Sequence, residues 1–174
     1  MPASQNALDF TVPRTDNPSA ALTRKRKQLQ RFVNWYPPFL GAGVKVKRIA
    51  DDLRTIEVHM PLRFWNKNYV GTHFGGSLYA MCDPFFMLIL VNNLGAGYIV
   101  WDKAATIRFK KPGKGLVKAV FHIPQERIEE IRSQADALGK VEPQFQVHVT
   151  DSDGNVIAEV DKLLYVRKKK VAES

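Results

Sequence analysis

The segment Leu78–Val91, LYAMCDPFFMLILV, constrains this chain more than any other: it is apolar on nearly every side of a helix, yet an acid and a proline stand in its middle. A helix with that profile has to be enclosed rather than laid on a surface. The apolar run is shorter than the ~20 residues a bilayer crossing needs, and Asp83-Pro84 interrupts it. The chain must therefore supply a cover, and the flanking sequence alternates as the strands of a half-buried sheet do.

Upstream, VKVKRIA and LRTIEVHMPL read as a hairpin turning at Asp51-Asp52, with Val44, Val46 and Arg48 on one side of the first strand. Downstream, YIVWDKAATIRFKK and LVKAVFHI flank the turn Pro112-Gly113-Lys114-Gly115, and EPQFQVHVTD and NVIAEVDKLLYVRKK flank Asp151–Asn155. Pro124 opens a second amphipathic helix that Gly139 closes, and PLRFWNKNYVGTHFGG has no period and reads as a structured loop. The order implies an α+β fold: a long central helix, from about Gly76 to Leu94, wrapped by a curved antiparallel sheet of about six strands. Residues 1–18 read as a disordered leader, 19–40 as an amphipathic helix capped by Ser19 and ended by Pro37-Pro38, 41–168 as the main domain, and 169–174 as a basic tail.

A carboxylate inside an apolar helix must find partners or hold its proton. Pro84 has no amide proton and clashes with the preceding turn, so the helix should kink at Asp83, with the Ala80 carbonyl losing its helical partner. The kink opens a polar space for Asp83; a bond to a neighbouring side chain would account for the residue equally well. Gly75-Gly76, at the helix start, permits close backbone approach and leaves free amides that suit an oxyanion or a phosphate. A plain tight turn into a helix reads the same way.

The pattern Asn68-x-x-Gly71-Thr72-x-x-Gly75-Gly76, with Asp83 seven residues on, resembles the active-site segment of hotdog-fold acyl-CoA thioesterases of the phenylacetate-pathway type. THFGGSLYAMCDPFF and YIVWDKAATIRFKKPG are most similar to a branch described as a tetrameric acyl-CoA-thioesterase-like domain of unknown function, over roughly Phe32 to Val166. The resemblance implies a hotdog fold and hydrolysis of an acyl thioester. Asp83 would be the base or nucleophile, Asn68 would position water, and the Gly75 amide, with Gly76, would hold the thioester oxygen. The partly apolar setting would raise the Asp83 carboxyl toward a useful value. The family usually reads His-Gly-Gly; here His73 stands one place early, which leaves it a secondary candidate beside Asp102. Gly76 and Asp83 lie roughly 10 Å apart along a helix, too far to touch one carbonyl from the same chain. The site is therefore expected to be shared in a homodimer, and the branch implies a dimer of dimers.

The formal net charge is +9. That favours a polyanionic partner: nucleic acid, an anionic membrane surface or a phosphate-bearing small molecule. A solvated helix face and a basic tail would account for the clusters Arg24–Lys27 and Arg167–Lys170 without a ligand. With an acyl-CoA substrate, Arg108, Lys110, Lys111 and Lys114 are the cations expected at the coenzyme's phosphates. Trp65, Tyr69, Tyr79 and Phe86 are the expected acyl pocket. No nucleic acid is expected, because the aromatic residues gather around the apolar helix instead of alternating with lysines. Cys82, the only cysteine, fits a reducing compartment and reads as a packing group. Four scattered histidines offer no metal-ligand spacing, so neither metal nor cofactor is expected beyond the substrate's coenzyme A. With no signal peptide and no transmembrane segment, a soluble cytoplasmic enzyme is expected. The alternative is a hotdog module that binds acyl-CoA or a lipid without turnover.

Overall fold

The computed structural model describes residues 20–170; Ser19, the leader and residues 171–174 lie outside them. The helix at the N-terminal side divides at the two prolines into α1 (Ala20–Asn34) and α2 (Pro37–Ala42), because proline cannot continue a helix but starts one readily. Then follow β1 (Lys45–Ile49), β2 (Thr55–Pro61), α3 (Gly75–Ala80), α4 (Phe85–Leu94), β3 (Tyr98–Phe109), β4 (Leu116–His122), α5 (Gln125–Leu138), β5 (Lys140–Val141), β6 (Gln144–Asp151) and β7 (Val156–Lys168).

The sheet has seven strands rather than six, the addition being the two-residue β5 on β7, and its order is β1-β2-β4-β6-β7-β3. Every pairing is antiparallel. β3 and β4 are consecutive in the chain but not neighbours: the turn between them crosses over, so that β3 lies at an edge on β7 while β4 enters the middle. In β1 the alternation slips. A bulge between Val46 and Arg48 turns Ile49 inward with Val46 and sends Arg48 out, reversing the expected sides of the last two residues.

The central helix spans Gly75–Leu94 but is broken at Met81–Pro84, where the Asp83-Pro84 peptide is cis. The Ala80 carbonyl loses its helical partner, as Pro84 requires, and takes another. Tight turns replace the missing helical bond, with Cys82 N–H donating to Tyr79 O at 2.8 Å and Asp83 N–H to Ala80 O at 3.3 Å. A single helical rise therefore no longer measures the way from Gly76 to Asp83. Beyond the break, Phe85, Phe86, Ile89 and Leu90 are enclosed, with Phe85 4.9 Å from Phe121 and Phe86 stacked 4.8 Å from Phe145. Each such ring contributes roughly 2–3 kcal/mol of burial. The opposite side of α4 is less covered than the sequence suggests: Met87 and Leu88 are half-buried and Val91 is exposed. Counted with its flanks, Gly75–Leu94 is long and apolar enough, by length and composition alone, to cross a membrane, and half of it is buried inside the protein.

Candidate active site

Along β7 the residues Val160, Lys162, Leu164 and Val166 share one side of the strand and all are buried. Strand periodicity thus carries a lysine into the interior. Its ammonium is met from three elements. Asp83 Oδ1, at the helix break, lies 2.8 Å from Lys162 Nζ; Asp102 Oδ1, at the bulge in β3, lies 3.2 Å away without hydrogen-bond alignment; and Tyr79 Oη on α3 accepts at 3.4 Å. Lys162 is 1% exposed, whereas the Asp83 side chain keeps 43% of its surface open to solvent. Asp83 therefore meets an ammonium instead of an apolar wall.

Burial, followed by a hydrogen bond with Asp83, pushes the Asp102 carboxyl up to about 6, although Lys162 works against the rise. Burial pulls Lys162 down, but Asp83 and Asp102 more than offset it and the ammonium is held above its usual value. The neighbouring Cys82 is enclosed, and burial pushes its thiol up to about 12, which suits packing rather than nucleophilic attack. Lys162 was not among the residues singled out from the sequence. Its signal was present as an inward position in the alternating run VDKLLYV.

The glycine half of the motif has partners of its own. Asn68 spends its side chain on its own loop: Oδ1 accepts from the amides of Val70 and Thr72, and Nδ2 donates to Thr72 Oγ1 at 2.9 Å and His73 O at 3.3 Å. His73 is 3% exposed; its Nε2 bonds Gly115 O at 3.0 Å while its Nδ1 has no partner among the described residues. Burial lowers its pKa against the raising effect of the Gly115 bond, so the ring is neutral and serves as a strut. The loop packs against Gly113 so closely that a Cβ there would meet Ile157 Cγ2 at 3.0 Å and His73 Cδ2 at 3.2 Å. At the start of α3 the amides of Ser77 and Leu78 both donate to Phe74 O. Those of Gly75 and Gly76 have no acceptor among the described residues.

A cleft of about 640 Å³ runs past Asn68, His73, Gly75, Phe109 and Lys110–Lys114. Asp83, Asp102 and Lys162 are not part of its lining. Of the expected phosphate-binding cations, Arg108 pairs with Asp161, Lys110 with Glu159 at 2.9 Å, and Lys111 donates to Asn155 Oδ1 at 2.8 Å. Lys114 has no ion-pair partner among the described residues. The four expected acyl-pocket residues have four different settings. Trp65 is exposed against Phe64, Tyr69 is fully exposed, Tyr79 lies over Lys162, and Phe86 is in the core. Among the described residues no three His, Cys, Asp or Glu side chains gather to hold a metal ion.

Residues 24–166 match the family described as Domain of unknown function (DUF4442). The chain belongs to that family. Among solved structures it is similar to a Pseudomonas aeruginosa protein of unknown function described as a "Probable Thioesterase", with TM-score 0.74 and 22% identity over 82% of this chain and 96% of that one. It is also similar to a Chlorobaculum tepidum protein of unknown function (TM-score 0.69, 16% identity, 84% and 96% covered). A Haemophilus influenzae thioesterase follows (TM-score 0.61, 14% identity, 86% and 94% covered). No curated protein matches it in sequence. The fold shared with these structures is the hotdog, a long helix held in a curved antiparallel sheet. The family match begins eight residues before Phe32 and so takes in most of α1.

Proposed function

We propose that the protein hydrolyses an acyl thioester, with coenzyme A as the thiol that leaves, and that Asp83 works at the thioester. One observation carries this reading: the Asp83 carboxylate is open to solvent at a helix break, while the lysine that fixes it is wholly enclosed. A base held from behind by a rigid strand is positioned in the way that general-base catalysis requires. Water attacks the carbonyl carbon and gives its proton to Asp83. The amides of Gly75 and Gly76 hold the resulting oxyanion. Collapse breaks the carbon–sulfur bond, and the departing thiolate takes the proton back from Asp83. No cofactor beyond the coenzyme of the substrate enters the step. Lys110, Lys111 and Lys114, beside the cleft, supply charge for the coenzyme's phosphates.

Asp83 is not among the residues that line the cleft at Gly75, which supports a site made from the Gly75 of one chain and the Asp83 of another. The partly uncovered Met87, Leu88 and Val91 of α4 support such a homodimer. Mixing inactive Asp83→Ala chains with inactive Gly75→Pro chains should restore activity in mixed dimers; mixed dimers that form and stay dead would place both groups in one chain.

The direct test is a panel of acyl-CoA substrates, short, long and aromatic, followed by release of free thiol. Asp83→Ala should lower turnover on the best substrate about a hundredfold or more. Near wild-type turnover in that variant would sink the assignment. The enclosure of Lys162 favours one other reading, a module that binds acyl-CoA without turnover, because a buried ammonium needs a carboxylate whether or not chemistry occurs. In that case acyl-CoA would raise the melting temperature, no thiol would appear, and Asp83→Asn would bind as well as wild type.

A further inference from the structure

Eight of the 26 Lys and Arg residues, and none of the 17 Asp and Glu, fall between residues 20 and 50. The rest of the chain holds 18 against 17, so nearly all of the net charge of +9 belongs to α1, α2 and β1. These elements form one surface. Gln30 donates to Val46 O at 3.1 Å, and Asn34 both donates to Val46 O at 3.2 Å and accepts from Val46 N–H at 2.7 Å. Val33 is buried beneath them. Of the eight cations only Arg26 has a carboxylate partner among the described residues, Asp51 at 2.7 Å.

At ~100° per residue, Arg24, Lys25, Lys27, Arg31 and Phe32 of α1, with Trp35 in the turn that ends it, share the arc that faces away from the sheet. All six are exposed, and β1 adds exposed Lys45, Lys47 and Arg48. Phe32 is 69% exposed and Trp35 75%; Tyr36 and Leu40 continue the apolar edge at the turn into α2. Unpaired cations beside exposed aromatic and aliphatic side chains are what an interfacial helix presents to a lipid headgroup layer.

We propose that this face docks the protein on an anionic bilayer surface, with the cations over the headgroups and Phe32, Trp35 and Leu40 entering the interface. A second copy of the chain fits poorly, because a two-fold contact would lay this surface on itself, cation against cation. A nucleic-acid duplex would take the cations but leave Phe32, Trp35 and Leu40 in water, and a single strand, whose bases stack on aromatic rings, would still leave Leu40 there. An anionic bilayer accepts both parts. The inference is independent of thioester hydrolysis, and the helix Gly75–Leu94 takes no part in it.

The test is flotation of the full chain with phosphatidylglycerol–phosphatidylcholine vesicles against vesicles of phosphatidylcholine alone. Wild type should float only with the anionic vesicles and should release as salt rises. Each cation near the surface contributes about fivefold. Lys25→Glu, Lys27→Glu and Arg31→Glu together should therefore weaken binding roughly a hundredfold or more. Phe32→Ser with Trp35→Ser should weaken it about tenfold or more while the circular dichroism stays that of wild type. Failure to bind anionic vesicles at low salt, equal binding to neutral ones, or no effect of the Phe32/Trp35 substitutions would overturn the proposal. Tighter binding to duplex DNA or single-stranded RNA, or a wild-type dimer that those same two substitutions dissociate, would overturn it as well. If the triple-charge variant does not fold, the salt titration of wild type decides.

Discussion

The ribbon formed by β3 and β7 carries charged residues on both sides, and their settings differ completely. On the outer side Arg108 pairs with Asp161 and Lys110 with Glu159, in contacts open to water. On the inner side Lys162 meets Asp83 and Asp102 with its ammonium enclosed. Asp161 and Lys162 are consecutive, so one step along β7 passes from a solvated pair to a buried cluster. Solvent screens the first kind until it contributes little, whereas the second cannot lose its lysine, or both of its acids, without leaving a charge stranded. Charge alone does not rank these residues; strand parity does.

The largest effect should come from stranding the lysine. Asp83→Ala combined with Asp102→Ala leaves the Lys162 ammonium without a carboxylate and should cost about 3–5 kcal/mol in urea unfolding. Adding Lys162→Met should recover much of that loss. A double variant as stable as wild type would mean that the lysine escapes to water and that the inner and outer sets are alike.

A smaller effect should appear against pH. The folded Asp102 carboxyl titrates at about 6 against an ordinary 3.8, so the folded state holds a proton that the unfolded state has released. Its contribution to stability is fully present below about pH 4 and is lost as the pH rises to about 6. Asp102→Asn should flatten that decline. Buried neutral His73 acts in the opposite direction, losing stability on acidification, so the comparison is between wild type and the Asp102 variant measured at the same pH values. Identical pH profiles for the two would place Asp102 outside the coupled cluster.

On the outer side, Lys110→Ala with Lys111→Ala should raise KM for acyl-CoA by about tenfold, the scale of a charge-assisted phosphate contact. The substitutions should leave acyl-pantetheine, which lacks the nucleotide, nearly unchanged. Equal losses on both substrates would show that these lysines act elsewhere. The smallest effect belongs to Arg108→Ala, whose solvated pair should leave the urea midpoint where it is; a clear shift would erase the contrast between the two sides.

Much of the fold was legible because periodicity reports burial directly. The apolar stretch around Leu90, the alternation of β6 and β7 and the turn at Asp151–Asn155 all lie where their patterns put them. The break at Pro84 was legible too, since proline lacks the amide. The closing of that break was not: which amide reaches the Ala80 carbonyl depends on how the turn tightens. The bulge in β1 escaped for a similar reason, because one extra residue in a strand leaves no mark in composition. The candidate site divides along the same line. Asp83 announces itself as an acid among hydrophobes. Asp102 and Lys162 become its neighbours only through the order β7-β3, which local sequence does not encode. The same holds for Trp65, Tyr69 and Phe86, whose size was plain and whose exposure or burial was not.

That order also fixes a timetable. β3 is paired along nearly its whole length with β7, from Tyr98↔Lys168 to Phe109↔Ala158, and among the described residues with no other strand. During synthesis β3 leaves the ribosome about fifty residues before β7 and waits as a free edge while β4, α5 and β6 emerge. Asp83 and Asp102 are made early, and Lys162 arrives among the last residues of the domain. A nascent chain halted before residue 156 would have its acids and its glycine helix start but neither the counter-ion nor the strand that joins them to the sheet. The charged cluster is completed only once β7 has been made, so it cannot assemble on a chain that stops short of that strand.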